Sequence, residues 1–421
     1  MLLNLSEIRQ QFPALQETDA QGQPYVFFDG PGGTQVPRQV MTAMNRYLTE
    51  ANANHGGYFI TSQRNDQIID MTRQAMADFL NAPSANEIVF GQNMTSLTFN
   101  LSRAMARLFQ AGDEIIVTRL DHDANVAPWL ALEEQGIVIR WIDFEVSDCR
   151  LNLTQLADSL SEKTKLVAVG YASNAVGTVN PIAQIVELVR QKSSAWVWVD
   201  AVHYAPHGPI DVQELGCDFL VCSAYKFFGP HIGILWGRYE LLEQIPAYKV
   251  RPADDDPPGK FETGTQNHEG IAGANAAIAY LADLGRSYGQ SATASSRYPD
   301  RRGDLKQAMQ TIMSDERDLF TTLLNGLQAI PEITIYGLTN PAEFAERCPT
   351  LAFTHAHHSP AEIAAYLAER GIFVWDGHYY AISVIDRLGL AETGGAVRVG
   401  LAHYNTPAEV ERLIETVHEM S

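Results

Sequence analysis

From about residue 87 to 238, short apolar runs alternate with amphipathic stretches. The runs are EIVFG (87–91), EIIVTRL (114–120), IVIRWIDF (137–144), KLVAVGYA (165–172), AWVWVD (195–200), DFLVCS (218–223) and GILWG (233–237). Each is rich in β-branched and aromatic residues and lies among turn-forming residues, the pattern of a buried strand. Helical periodicity fills most of the gaps. Examples are SLTFNLSRAMARLF after Thr95 and PIAQIVELVRQK from Pro181, where proline suits the first helical position. Strand–helix alternation of this kind predicts an α/β fold with a mainly parallel seven-stranded sheet and helices on both faces.

Beyond this region the pattern changes. Residues 252–260, PADDDPPGK, carry no periodicity and predict a mobile acidic loop. A long polar helical stretch is expected around 271–328. A smaller α+β unit follows, with strands near ITIYG (333–337), TLAFTH (350–355) and AVRVGLAH (396–403). Two of its helices open on capping boxes, Ser359 with Glu362 and Thr406 with Glu409. The expected organisation is an N-terminal segment, 1–25, packing with the small domain. A large domain spans 26–290 and a small C-terminal domain spans 291–421.

Composition narrows the function classes. A net charge of -20 argues against nucleic acid and anionic membrane surfaces, which require basic patches. No run approaches the ~18 apolar residues that a spanning helix needs. The N-terminus MLLNLSEIRQQF is charged at Glu7 and Arg9 and has no apolar signal region, so a cytoplasmic location is expected. Four widely spaced cysteines with no CxxC pair indicate neither a disulfide framework nor a zinc site.

The chemistry enters at the ends of two runs. Asp200 closes AWVWVD, and Lys226 follows DFLVCS within Ser-Ala-Tyr-Lys. Ligands of open α/β sheets bind outside the carboxyl ends of strands, so both side chains are expected in one crevice. A lysine in a dry pocket beside an acid suits a Schiff base with pyridoxal phosphate, the acid keeping the pyridine nitrogen protonated. A phosphate needs several donors near a helix start. The segment GQNMTS offers the Met94 and Thr95 amides and the Thr95 hydroxyl, and Ser223 and Tyr225 add side-chain donors.

With these residues in collinear order, the chain resembles a fold-type I pyridoxal-phosphate enzyme of the class V aminotransferase group. It is most similar to the cysteine desulfurases of the NifS/SufS kind, over nearly its whole length. That resemblance implies that Lys226 is the Schiff-base lysine and Asp200 the partner of the pyridine nitrogen. It implies that His122, in DHDANVAPW, stacks on the cofactor ring and that Asn174, in SNAVGTVNP, adds a polar group. His203 stands near the cofactor's phenolic oxygen, where the family usually has glutamine, and Tyr225 replaces a usual histidine. Thr265, in FETGTQN, is implied to reach the phosphate of a neighbouring subunit, hence a homodimer with shared active sites. Arg398, in VRVGLAHYN, is implied to clamp the carboxylate of an α-amino acid; a planar guanidinium suits that task because it pairs bidentately.

The resemblance breaks at one loop. A desulfurase takes sulfur on a loop cysteine, but here the loop reads DGHYYAISV (376–384) and Tyr380 holds that position. No cysteine follows Cys348, and neither Cys149, Cys217, Cys222 nor Cys348 has the setting of a reactive thiol. His55, in NANHGGYF, stands where desulfurases carry an arginine-containing segment, and joins Arg398 and Tyr380 as a candidate substrate contact. The expected function is therefore a desulfurase-like enzyme acting on a small L-α-amino acid, by C–S lysis or β-elimination without a protein persulfide. An aminotransferase, an epimerase and a non-catalytic cofactor-binding protein remain as alternatives. Tyr379 and Tyr380 are open between acting as acids and closing the pocket.

Overall fold

The computed structural model describes residues 3–289 and 300–420. The expected runs form seven strands: β1 (Ile88–Gly91), β2 (Glu114–Thr118), β3 (Val138–Ile142), β4 (Thr164–Gly170), β5 (Trp196–Asp200), β6 (Phe219–Ser223) and β7 (Gly233–Gly237). Their order across the sheet is β1-β7-β6-β5-β4-β2-β3. Only β7 runs against its neighbours, pairing antiparallel with β1 and β6.

The unbroken apolar character of these runs has a direct cause. Successive side chains of a strand point to opposite faces, and here both faces are covered. Val197, Val199, Leu220 and Cys222 enter one core, while Trp198, Phe219 and Val221 enter the other. Helix α1 (Met94–Ala106) packs Leu97, Leu101 and Met105 into the second core, and α2 (Ile182–Lys192) packs Ile182, Ile185 and Val189 into the first. Pro181 occupies the cap position of α2 rather than its first helical residue, with ψ 74 outside the helical region.

The stretch expected to be helical around 271–328 holds α3 (His268–Tyr288) and α4 (Asp300–Gln328). Residues 290–299, and with them the expected boundary at 290/291, lie outside the described residues. The C-terminal sheet contains β8 (Ile333–Tyr336), β9 (Thr350–His355), β10 (Trp375–Gly377) and β11 (Ala396–Gly400), all antiparallel in the order β10-β11-β9-β8. Strand β10 is absent from the sequence reading, being too short to show a period. Both capping boxes are present, on the helices Pro360–Ala368 and Pro407–His418. The N-terminal segment reaches this unit: Leu3 N donates to Asp315, Arg9 pairs with Glu409, and Val26–Phe27 pairs in parallel with Ile372–Phe373. Among the described residues no helix is long and apolar enough to cross a membrane.

Candidate active site

A cavity of about 770 Å³ opens beyond the carboxyl ends of β2, β4, β5 and β6 and is closed from the other side by the C-terminal sheet. Met94, Thr95, His122, Asn174, Asp200, His203, Tyr225, Lys226, Tyr380 and Arg398 all line it. Residues separated by up to some 300 positions thus meet at one place, as the strand-end argument expects.

Lys226 follows β6 on a single turn of 3-10 helix, Ala224–Lys226, and is buried. Its Nζ donates to the carbonyl of Pro31 and lies 4.7 Å from the centre of the Tyr225 ring. Burial, reinforced by the Arg398 charge, lowers its pKa to about 7, with Asp200 and Asp29 opposing the shift. Asp200 ends β5 and accepts the Val202 amide at 2.9 Å. Its burial raises its pKa to about 6, against the pull of Lys226.

His122 caps the turn that follows β2, its Nδ1 accepting the Ala124 amide at 3.0 Å. The accepting Nδ1 places the proton of the neutral ring on Nε2. Burial, with Lys226 and Arg398 nearby, depresses its pKa to about 4, so the ring is neutral at pH 7. The ring of Tyr380 stacks on it, with centroids 5.6 Å apart.

Arg398 sits in β11, buried, with Nη1 donating to the Asn174 carbonyl at 2.9 Å. Its guanidinium lies 4.5 Å above the Tyr379 ring, and its Nε has no partner. Burial lowers its pKa to about 10, so it stays charged at neutral pH. A buried, charged, incompletely satisfied guanidinium is set up for an anion. Asn174 supports the loop above it through Nδ2, which donates to the Tyr379 carbonyl at 2.9 Å, while its Oδ1 is buried without a partner.

The loop carrying Tyr380 is pinned. Asp123 N donates to the Tyr380 carbonyl at 2.7 Å, and the Tyr379 hydroxyl donates to the Ala396 carbonyl. Tyr379 and Tyr380 both adopt left-handed backbone, with φ 52 and 57. That conformation costs ~1–2 kcal/mol per residue for a side chain larger than glycine. It persists because the surrounding bonds over-determine it. The Tyr379 phenol is thus committed beneath Arg398, and Tyr380, 67 % exposed, forms the outer wall.

Three expected site residues stand apart from the cavity wall. Ser223 is fully buried behind α1, where its Oγ accepts the Met94 amide at 3.1 Å. Of the two amides expected for a phosphate, Met94 is therefore engaged, while Thr95 N has no partner among the described residues. Thr265 is exposed outside this chain's own cavity. His55 is likewise exposed, with Nδ1 2.8 Å from Asp66. The loop holding His55 and the turn holding Thr265 meet at His268, which lies against Ala53 and bonds the Tyr47 hydroxyl.

Sequence reasoning missed Asp121, Trp375, Asp376 and His378, which also line the cavity. Asp121 is buried, accepts from Thr118 and Asn125, and is raised to about 7 by burial, with Asp200 adding to the effect. Its position next to His122 was the available signal. All four cysteines are buried and none lines the cavity. Burial pushes the thiols up, to about 11 for Cys149 and further for the other three.

The arrangement fits pyridoxal phosphate: a buried amine of lowered basicity, a buried carboxylate, a neutral imidazole with a face toward the cavity, and a helix start with a free amide. The comparisons agree. The family model described as aminotransferase class-V matches residues 26–296 and 305–413. A probable cysteine desulfurase of Streptomyces coelicolor is 33% identical, the match covering 98% of this chain and 96% of the relative. An aminotransferase-like protein of Gibberella zeae is also 33% identical, over 98% of this chain and 97% of its own. Among solved structures, an apo cysteine desulfurase from Thermococcus onnurineus superposes with a TM-score of 0.86 at 26% identity, covering 99% of this chain and 97% of that one. The chain belongs to the aminotransferase class-V family and is a pyridoxal-phosphate-dependent enzyme of cysteine desulfurase-like kind.

Proposed function

We propose that the protein cleaves a small L-α-amino acid by β-elimination at carbon–sulfur, releasing the sulfur group to solvent rather than to a protein cysteine. The observation that carries this reading is a cavity with Lys226, Asp200 and Arg398 assembled and Tyr380, instead of a thiol, on the loop above them. The bound cofactor supplies an electron sink for the bond broken at the substrate's Cα.

The roles of the chain's own residues follow from their settings. Arg398 holds the substrate carboxylate, a bidentate pairing that its unpartnered Nε and central position favour. Lys226, with its pKa near 7, would hold the cofactor and serve as the base for the Cα proton. Asp200 would hold the pyridine nitrogen, and His122, which Tyr380 flanks, would stack on the ring. Thr95 offers its amide and hydroxyl to the phosphate, with Met94 and Ser223 behind it and Tyr225 beside Lys226. Asn174 and His203, which line the same cavity, would supply its polar edge. For L-cysteine the balance is cysteine plus water giving pyruvate, ammonia and hydrogen sulfide.

The reading includes a homodimer. His55 and Thr265 are exposed, and close after His55 come Tyr58, Phe59 and Ile60, also exposed, Tyr58 at 99 %. Three consecutive apolar residues left open to water support burial against a second copy, which would bring His55 and Thr265 to the partner's cavity. The test is a panel of L-amino acids with product analysis. Sulfide with pyruvate supports the reading. Sulfide with alanine indicates desulfuration, a keto acid with an amino-group acceptor indicates transamination, and the D-isomer indicates epimerisation; each refutes it.

A further inference from the structure

His203 is tied to the C-terminal sheet by a single bond. Its Nε2 lies 3.0 Å from the hydroxyl of Thr350. Thr350 begins β9, whereas His203 follows β5, so the bond joins the two sheets. Both side chains are buried, Thr350 completely.

A hydroxyl carries one proton, which needs an acceptor. Among the described residues the Thr350 hydroxyl has no partner besides this imidazole. If Nε2 carried the ring proton, Oγ1 would accept it and the threonine's own proton would be left buried and unpaired, the costly arrangement. If Thr350 donates instead, both groups are satisfied. A neutral imidazole has one N–H, which then resides on Nδ1. That nitrogen has no partner among the described residues, and His203 lines the cavity. The ring stays neutral, because burial disfavours its charge and His207, Arg398, Lys226 and His122 all add to that effect. His207 lies edge-on at 5.5 Å and makes no hydrogen bond to it.

We propose that Thr350 holds His203 in the Nδ1–H form, making the imidazole a hydrogen-bond donor into the cavity, toward the phenolic oxygen of the cofactor. Thr350 is then a positioning residue supplied by the C-terminal sheet. The second half of the proposal rests on the cofactor placement given above. The opposite tautomer would turn a lone pair toward an anionic oxygen, so docking of the two sheets decides whether His203 attracts or repels it.

The test uses holoenzyme labelled with 15N-histidine and long-range 1H–15N spectra, the His203 signals being those lost in His203→Gln. The expected pattern is a protonated Nδ1 and a bare Nε2. A protonated Nε2, or a doubly protonated ring, overturns the proposal. After removal of the cofactor, Thr350→Ser should keep the Nδ1–H pattern and Thr350→Val should average the two tautomers. A pure Nδ1–H pattern in the valine variant overturns the role of Thr350. In loaded Thr350→Val, the pH midpoint of the visible band of the lysine-bound cofactor should rise and return to normal in Thr350→Ser. An unchanged midpoint beside the expected ring pattern overturns the placement of the phenolic oxygen and leaves the tautomer standing.

Discussion

Arg398→Met separates the substrate clamp from the fold. In the protein without substrate, burial holds the Arg398 pKa at about 10 instead of 12.5. Both folded and unfolded chains carry the charge at pH 7, so the cost of burying it is fully present there. At about 1.36 kcal/mol per pH unit, that cost is roughly 3 kcal/mol. Opposing it is the bond to the Asn174 carbonyl, worth ~1.5–3 kcal/mol as a charged hydrogen bond. Methionine removes both, and they nearly cancel. Stability in urea should therefore change by only about 1 kcal/mol, against the ~3–5 kcal/mol lost when a buried ion pair is broken.

Catalysis should respond very differently. Once a substrate carboxylate occupies the site, deleting its partner strands a buried anion. The loss of ~3–5 kcal/mol corresponds to roughly a hundred- to several-thousand-fold in kcat/KM. The assays are urea unfolding of the holoenzyme and steady-state kinetics with the best amino acid from the panel, with binding of its decarboxylated amine as control. The amine should bind the variant as well as the parent. A destabilisation of several kcal/mol would refute the ledger, and an unchanged kcat/KM would refute the clamp.

Three further outcomes are expected. Uptake of the cofactor requires a neutral Lys226, so its rate in cofactor-free protein should climb with pH through about 7; a midpoint near the ordinary lysine value of 10.5 would contradict the burial argument, and Lys226→Ala should lose the visible band altogether. The folded-state pKa of Asp200 lies above its ordinary 3.8, at about 6, so its charge costs stability above pH 6 and that cost fades as pH falls toward 4. Asp200→Asn in cofactor-free protein should therefore flatten the rise of Tm between pH 7 and 5, as followed by circular dichroism; an undiminished rise would assign it to other groups such as Asp121. Tyr380→Cys restores a thiol to the outer wall, and mass spectrometry after exposure to L-cysteine should detect a persulfide on residue 380 that the parent lacks. The same adduct on one of the parent's buried cysteines would defeat the loop argument.

Much of the fold was legible because it rests on local pattern. The seven apolar runs became β1–β7 with their ends trimmed by a few residues, since a strand buried on both faces has to be apolar at every position. The capping boxes at Ser359 and Thr406 were equally readable, being closed within a few residues. Strand β10 was not, because three residues carry no period and its pairing with β11 comes from distant chain. The site was partly legible in the same sense. Asp200 and Lys226 were found by their place at strand ends, whereas Trp375 and His378 reach the cavity only through the packing of the second sheet.

The division follows from what each level encodes. By itself the sequence determined the strand–helix alternation, the pairing of an acid and an amine at the mouth of the sheet, and the absence of a cysteine after Cys348. Tertiary structure alone decided how those groups behave. It buries Lys226 and brings Arg398 near enough to depress its basicity. It places the Tyr379 phenol beneath Arg398 and leaves the Tyr380 ring against His122. It also hides Ser223 behind the Met94 amide and sets Thr350 against His203. Residue type is local information. Desolvation, charge proximity and the direction of a hydrogen bond depend on which distant segments share a volume, and only the folded chain sets that.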